Sequence, residues 1–312
     1  PLPLSLAVVG DRVLDLALHN RPVLLGKDRQ APAFQPDWKA SDWARAEAAF
    51  GGLMSRPDRF LDVRTAIQSD TDIALQGALF SHDCVDPWGM AWCADLDLGA
   101  VGDEAERARV WGNLKRLFDR EIGPIGKTKA RLRIQPRPSP FSAPGKPEPV
   151  KDDLFVVLLR TPARLLCSDD IDFAAINSDT RLHDLYASYW RRASGGALEL
   201  SHYFAGSRRA GGGYYWRRYR GGGKPTSDYQ VEWLTEPGSV FVLRAKDDGI
   251  AAAEWLHDCM QRGLPPAADR EGDDWRSDPY RPEHGYGEIA VNHRDQLRLI
   301  EEPEKETSDV VE

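Results

Sequence analysis

QPRPSPFSAPGKPEP, residues 135–149, places six prolines among fifteen positions. Proline has no backbone N–H and a fixed φ, so this stretch cannot run through a central strand or a helix interior. It reads as a linker between two modules. The length agrees, since 312 residues at about 150 per domain make two. The same succession of elements is expected on both sides of the linker. Residues 3–9 and 154–159 are short apolar runs of strand length, each followed by a long polar middle. A helix is expected over 103–120, with Asp103 as N-cap and Trp111, Leu114, Leu117 and Phe118 on one face. Its counterpart spans 248–262, with Ile250, Trp255, Leu256, Cys259 and Met260 apolar and Gly263 as the stop signal. After each helix comes a glycine-bearing turn and a short strand. The first turn is Ile122-Gly123-Pro124-Ile125-Gly126-Lys127, leading into 129–134; the second is His284-Gly285-Tyr286-Gly287, leading into 288–291. Residues 240–244 read as a buried strand and 263–284, with four prolines, as a long loop. Strand, insert, helix, glycine turn and strand, written twice, predicts an α+β fold of two related modules, 1–135 and 151–295. A Pro-rich linker, 136–150, joins them, and an acidic disordered tail, 296–312, follows.

Composition narrows the function classes. The chain is 41% hydrophobic and 29% charged with a net charge of −8, which is globular rather than fibrous or disordered. No run approaches the ~20 apolar residues of a membrane span, so no membrane association is expected. Residues 1–10 carry an apolar stretch without a basic flank or cleavage signal, and Cys84, Cys93, Cys167 and Cys259 form no framework. Both features lead to the expectation of a reducing, cytoplasmic location. Charge is unevenly placed. Residues 123–151 hold seven Lys/Arg against Glu148, and residues 200–227 hold six with no acid. The segment after Ile300 holds six acids against Lys305. Local basic patches on an acidic protein still hold a polyanion, because exposed charges beyond about 10 Å are screened.

Motifs for common chemistry are missing. His82 and Cys84, with Asp83, Asp86 and Cys93 nearby, lack the four spaced ligands of a structural zinc site, so no metal or cofactor is expected. There is no G-x-S-x-G elbow. Gly123-x-x-Gly126-Lys127-Thr128 ends like a P-loop but follows a helix and leads into a strand, the reverse of the order phosphate binding needs. The carboxylates, Asp95 and Asp97 among them, read as solvated faces, and nothing pairs His19, His82, His202 or His284 for acid–base work.

The strongest pattern points to single-stranded RNA. Tyr214-Tyr215-Trp216-Arg217-Arg218-Tyr219-Arg220 lies between Gly211–Gly213 and Gly221–Gly223, with Arg208, Arg209 and Lys224 beside it. Glycine lets the backbone approach a ligand closely, aromatics offer stacking faces and arginine forks match phosphate oxygens. A half-buried hairpin explains the same alternation of aromatics equally well. Residues 127–133 alternate Lys127, Lys129, Arg131 and Arg133 with small or apolar residues, which makes one strand face uniformly positive.

The arrangement resembles the RAMP superfamily of CRISPR-associated proteins. Phe60-Leu61-Asp62-Val63-Arg64-Thr65-Ala66-Ile67, then Ala74-Leu75-Gln76-Gly77-Ala78-Leu79-Phe80, is similar to the family's R-x-x-I … A-x-x-G-x-L-F segment. Residues 123–133 are similar to its glycine turn and closing strand. Glu236-Pro237-Gly238-Ser239-Val240-Phe241 is similar to A-G-S-V-F, and His284-Gly285-Tyr286-Gly287-Glu288-Ile289 to the G-[FY]-G turn. The likeness spans residues 3–293 and lies nearest the subunit that caps the guide RNA in type III-D or III-B effector complexes. It implies tandem ferredoxin-like modules with inserted loops, and a non-catalytic role in antiviral defence. The 5′ repeat-derived tag of the guide RNA is then gripped by Arg64, Lys127, Thr128, Lys129, Arg131, His284 and residues 208–224. Implied partners are the guide RNA, a neighbouring backbone RAMP subunit, a large polymerase-like subunit and, indirectly, target RNA. The alternatives are a RAMP endoribonuclease cutting guide precursor or target RNA, which would depend on a residue such as His284 or Asp95, and a protein-only scaffold.

Overall fold

The computed structural model describes residues 1–9, 12–18, 33–50, 59–67, 70–71, 73–85, 96, 98–99, 101–125, 130–137, 145–167, 179–211, 232–267 and 278–300. Along the chain these form β1 (Leu6–Val9), β2 (Arg12–Asp15), β3 (Ala33–Phe34), α1 (Ala40–Phe50), β4 (Arg59–Ile67) and β5 (Ala74–Val85). Then come α2 (Glu104–Phe118), β6 (Ile122–Ile125), β7 (Ala130–Leu132), β8 (Leu154–Leu159), α3 (Asp179–Ala193), β9 (Leu198–Phe204) and β10 (Ser207–Ala210). The last are β11 (Glu232–Thr235), β12 (Val240–Ala245), α4 (Ile250–Arg262), β13 (Ile289–Val291) and α5 (Arg294–Ile300). The fold is a mixed α+β one with antiparallel sheets.

The main sheet has the order β13-β8-β12-β9, antiparallel throughout. Its central strand β8, LFVVLL, is apolar at every position, and both sides of the sheet are covered. On one side Phe155, Val157, Leu159, Phe241 and Leu243 share a cluster with Tyr186, Tyr189 and Trp190 of α3 and Ala252, Leu256 and Cys259 of α4. Trp190, Tyr186, Phe155 and Phe241 are fully buried, worth about 1.5–3 kcal/mol for each large apolar side chain. On the other side Val156, Leu158, Val240 and Val242 pack with Ala17, Leu18, Phe50 and Ile300. A continuous hydrophobic strand is what two covered faces require. The helix expected over 248–262 forms as α4 and ends at Gly263, whose φ is +83°.

The N-terminal segment is tied to this sheet. The Leu4 N–H donates to Gly238 O at 2.7 Å, and His202 Nε2 lies 2.6 Å from Ala17 O. Gly238 has φ +91°, and a Cβ there would sit 2.5 Å from Leu2 O, so this turn into β12 admits only glycine. β1 pairs with β2 and β3, and Leu6, Val8, Trp38 and Ala46 form a second small core with Leu299.

By compactness the chain divides into one unit of Pro1–Leu53 with Ala143–Glu312 and another of Met54–Ser142. This division does not coincide with the expected boundary at 135–151. The apolar faces of β1 and α1 are buried within the first unit, whereas α2, β6 and β7 belong to the second. Two further expectations are modified. Residues 294–300 are helical as α5, with Gln296 buried and Leu299 in the small core, so the tail does not begin at 296; residues 301–312 lie outside the described residues. The end of the Pro-rich stretch is docked rather than a free spacer. Pro147 is buried, Lys146 Nζ meets Glu254 at 2.9 Å, and Asn292 Nδ2 donates to Glu148 O.

In the second unit β4 and β5 form an antiparallel ribbon with Phe60 opposite Cys84 and Thr65 opposite Leu79. α2 is capped as expected, Asp103 Oδ1 accepting from the Glu106 N–H at 2.8 Å. Ile122–Ile125, expected to form the first glycine turn, is itself a strand paired with β7; Gly126 and Lys127 of that expectation lie outside the described residues. Phe60, Leu61, Val63 and Leu79 are exposed.

Candidate nucleic-acid interface

Strands β8 and β9 end, and β12 and β13 begin, at one end of the main sheet: Val240 stands opposite both Leu158 and Phe204, and Ile289 opposite Leu159. The segments that emerge there are 160–167, the β10–β11 ribbon and the turn that precedes β13. Antiparallel pairing brings them together, although the first and the last of them stand more than a hundred residues apart in the chain.

Segment 160–167 is the hub. Ala163 and Thr235 exchange backbone hydrogen bonds at 3.1 and 2.8 Å, which docks β11. The Gly287 N–H donates to Pro162 O at 2.9 Å, and the Arg160 N–H to Glu288 O at 2.7 Å, which docks the glycine turn. The Ala267 N–H donates to Arg164 O at 2.8 Å. Gly287 has φ +77°, and a Cβ there would stand 3.0 Å from Leu264 O, so the second glycine of the expected turn is required by close backbone approach.

A buried ion network lies beneath. Arg164 is 2% exposed, with Nη2 at 2.7 Å from Asp278 Oδ2 and Nη1 at 3.9 Å from Glu232 Oε2. Arg281 Nε lies 3.9 Å from the same Asp278 oxygen. Asp278 Oδ1 also accepts from the Tyr280 N–H at 2.9 Å. The Tyr280 hydroxyl is pushed up to about 12, first by burial and then by Tyr286, Glu232 and Asp278, against a hydrogen bond from the Gly211 backbone. It therefore stays protonated at neutral pH. Tyr280 and Tyr286 meet edge to face at 5.3 Å.

The expected RNA contacts divide among three places. Arg208 and Arg209 are exposed on β10, with the Arg209 guanidinium 5.5 Å from the centre of the Trp233 ring, a cation–π contact. His284 is exposed in the 3-10 turn Pro282–His284, at the same end of the sheet. Arg64 and Arg131 belong to the second unit. Arg64 is paired with Asp62 at 2.6 Å, which raises its guanidinium further above the ordinary value, and Arg131 is paired with Glu121 at 3.1 Å. Lys127, Thr128, Lys129, Tyr214, Tyr215, Trp216, Arg217, Arg218, Tyr219, Arg220 and Lys224 lie outside the described residues.

Sequence reasoning passed over Arg164, Glu232, Asp278, Tyr280 and Arg281. Arg164 stands between the apolar residues Ala163 and Leu165, a weak signal that its charge is turned inward. Its carboxylate partners have no such mark. Among the described residues no group of three or more His, Cys, Asp or Glu side chains is placed to hold a metal ion. No described helix is long and apolar enough to cross a membrane. No protein-family model matches the chain, and no curated protein sequence matches it.

Proposed function

We propose that this chain is a non-catalytic RNA-binding subunit of the CRISPR-associated RAMP type. It caps the 5′ repeat-derived tag of a guide RNA and contacts a neighbouring backbone RAMP subunit and a large polymerase-like subunit. The carrying observation is the convergence of an exposed arginine pair, Arg208 and Arg209, and a glycine turn bearing His284 at one end of one sheet. The succession β8-α3-β9-β12-α4-β13 with strand order β13-β8-β12-β9 supports a ferredoxin-like C-terminal module. The face opposite α3 and α4 is covered by Ala17, Leu18, Phe50 and Ile300, so RNA meets the end of the sheet rather than its face. There Arg208 and Arg209 neutralise phosphate, and aromatics of the neighbouring segment stack on splayed bases.

The test is purification of the assembled complex, sequencing of the RNA that accompanies it, and crosslinking to the Arg208→Ala/Arg209→Ala variant. A common 5′ sequence ahead of variable spacers is expected, with crosslinking to this chain lowered about tenfold in the variant. A complex whose RNA crosslinks only to other subunits refutes the proposal. It would favour a protein-only scaffold, a second reading supported by the exposed Phe60, Leu61, Val63 and Leu79 of the β4–β5 ribbon.

A further inference from the structure

We infer that Arg164 is the positioning residue of this interface. Its buried guanidinium, held between Glu232 and Asp278, sets the arginine-bearing β10–β11 ribbon and the Tyr280–His284 turn in one register along the RNA backbone. The inference rests on the RNA-binding function proposed above.

Three features carry it. The network joins chain segments that hold the interface side chains. Glu232 opens β11 directly opposite Ala210, the neighbour of Arg209, and Asp278 opens the turn that carries Tyr280, Arg281 and His284. The Gly211 backbone, next after β10, acts on the Tyr280 hydroxyl of the turn beside it. Among the described residues the network sets two arginines against two carboxylates, with Arg164, Glu232 and Asp278 each no more than 2% exposed. Finally, a buried ion network is a poor source of net stability, because desolvation offsets most of the Coulomb attraction. Apolar side chains fill such a space as well. What they do not supply is direction: a forked guanidinium accepts its carboxylates only in defined positions. A site that grips a flexible polyanion benefits from this, because fixed cations lose less entropy on binding.

Arg164→Met alone strands two buried carboxylates and is expected to unfold the unit, so the informative variant removes the three fully buried charges together, Arg164→Met/Glu232→Gln/Asp278→Asn, and leaves only the partly exposed Arg281 charged. The Asp278→Asn change keeps an acceptor for the Tyr280 N–H. The full chain is examined in two ways. Hydrogen exchange compares amides of 207–211 and 278–287 with those of β8 and β12. Titration with fluorescein-labelled single-stranded RNA, at several salt concentrations, reads binding. Expected are about tenfold faster exchange in the two interface segments with β8 and β12 unchanged, RNA affinity about tenfold weaker, and a salt slope smaller by about one. Unchanged exchange in both segments, or wild-type affinity and slope despite faster exchange, overturns the inference. Exchange that quickens in β8 and β12 as well also overturns it, since the network would then be holding the whole unit together. If the wild-type chain binds no RNA while the segments loosen selectively, the RNA-binding function falls and the mechanical role of Arg164 stands.

Discussion

Asp15→Asn is expected to stabilise the protein at neutral and higher pH. Asp15 ends β2 with no exposed surface, facing Ser5 and Gln296 of α5. Burial pushes its carboxyl up to about 6. The Ala17 N–H, 2.8 Å from Oδ1, opposes that rise, as do the Ser5 hydroxyl and the Gln296 carboxamide. Neither side chain reaches hydrogen-bond geometry: among the described residues Ser5 Oγ, Asp15 Oδ2 and both Gln296 amide atoms are buried without a partner. Their help to the ionised form is therefore small. The rise from 3.8 to about 6 corresponds to about 3 kcal/mol, at about 1.4 kcal/mol per pH unit. The sign follows from proton counting. Between the two values the native state holds a proton that the unfolded chain has lost, so this contribution falls as pH rises from 3.8 to about 6. Above that range both states are ionised and the whole cost remains. The Asn variant keeps the acceptor for the Ala17 N–H, adds a donor towards the cluster and does not titrate. Urea unfolding of both proteins over about pH 4 to 8 reads the difference. The variant is expected to be more stable by up to about 3 kcal/mol at the alkaline end, with the gap closing as pH falls through 6. A gap independent of pH, or one that widens as pH falls, would refute the assignment of a buried, proton-holding carboxyl.

Gly287→Ala is expected to cost roughly 1–3 kcal/mol, because φ is +77° and the new Cβ stands 3.0 Å from Leu264 O. An unchanged melting temperature would show that the turn relaxes freely. Burial pushes the Cys259 thiol up to about 12, so it is expected to resist Ellman's reagent in the native state and to react only on unfolding. Labelling of native Cys259 at the rate of a free thiol would show that α4 opens far more readily than its packing allows.

How much was legible follows from where each signal resides. The LFVVLL run of β8, the apolar face and Gly263 stop of α4, the Asp103 cap of α2 and the glycine turn before β13 are local properties, and each is present in the fold. α3 is only weakly marked: Tyr186, Tyr189 and Trp190 recur at helical spacing within a polar segment. Sequence alone groups the N-terminal strands with their chain neighbours, because nothing local says that Ala17, Leu18 and Phe50 cover a sheet made by residues 154–291.

Backbone periodicity, turn chemistry and charge placement along the chain thus determined which segments become strands and helices, and where cations and glycines are concentrated. Tertiary structure alone decided that Arg164, Glu232 and Asp278 meet, that Arg208, Arg209 and His284 emerge at one end of one sheet, and that the opposite sheet face is closed. The physical reason is range. Propensity and capping act over a few residues, whereas strand pairing and burial join positions that the sequence leaves more than a hundred residues apart.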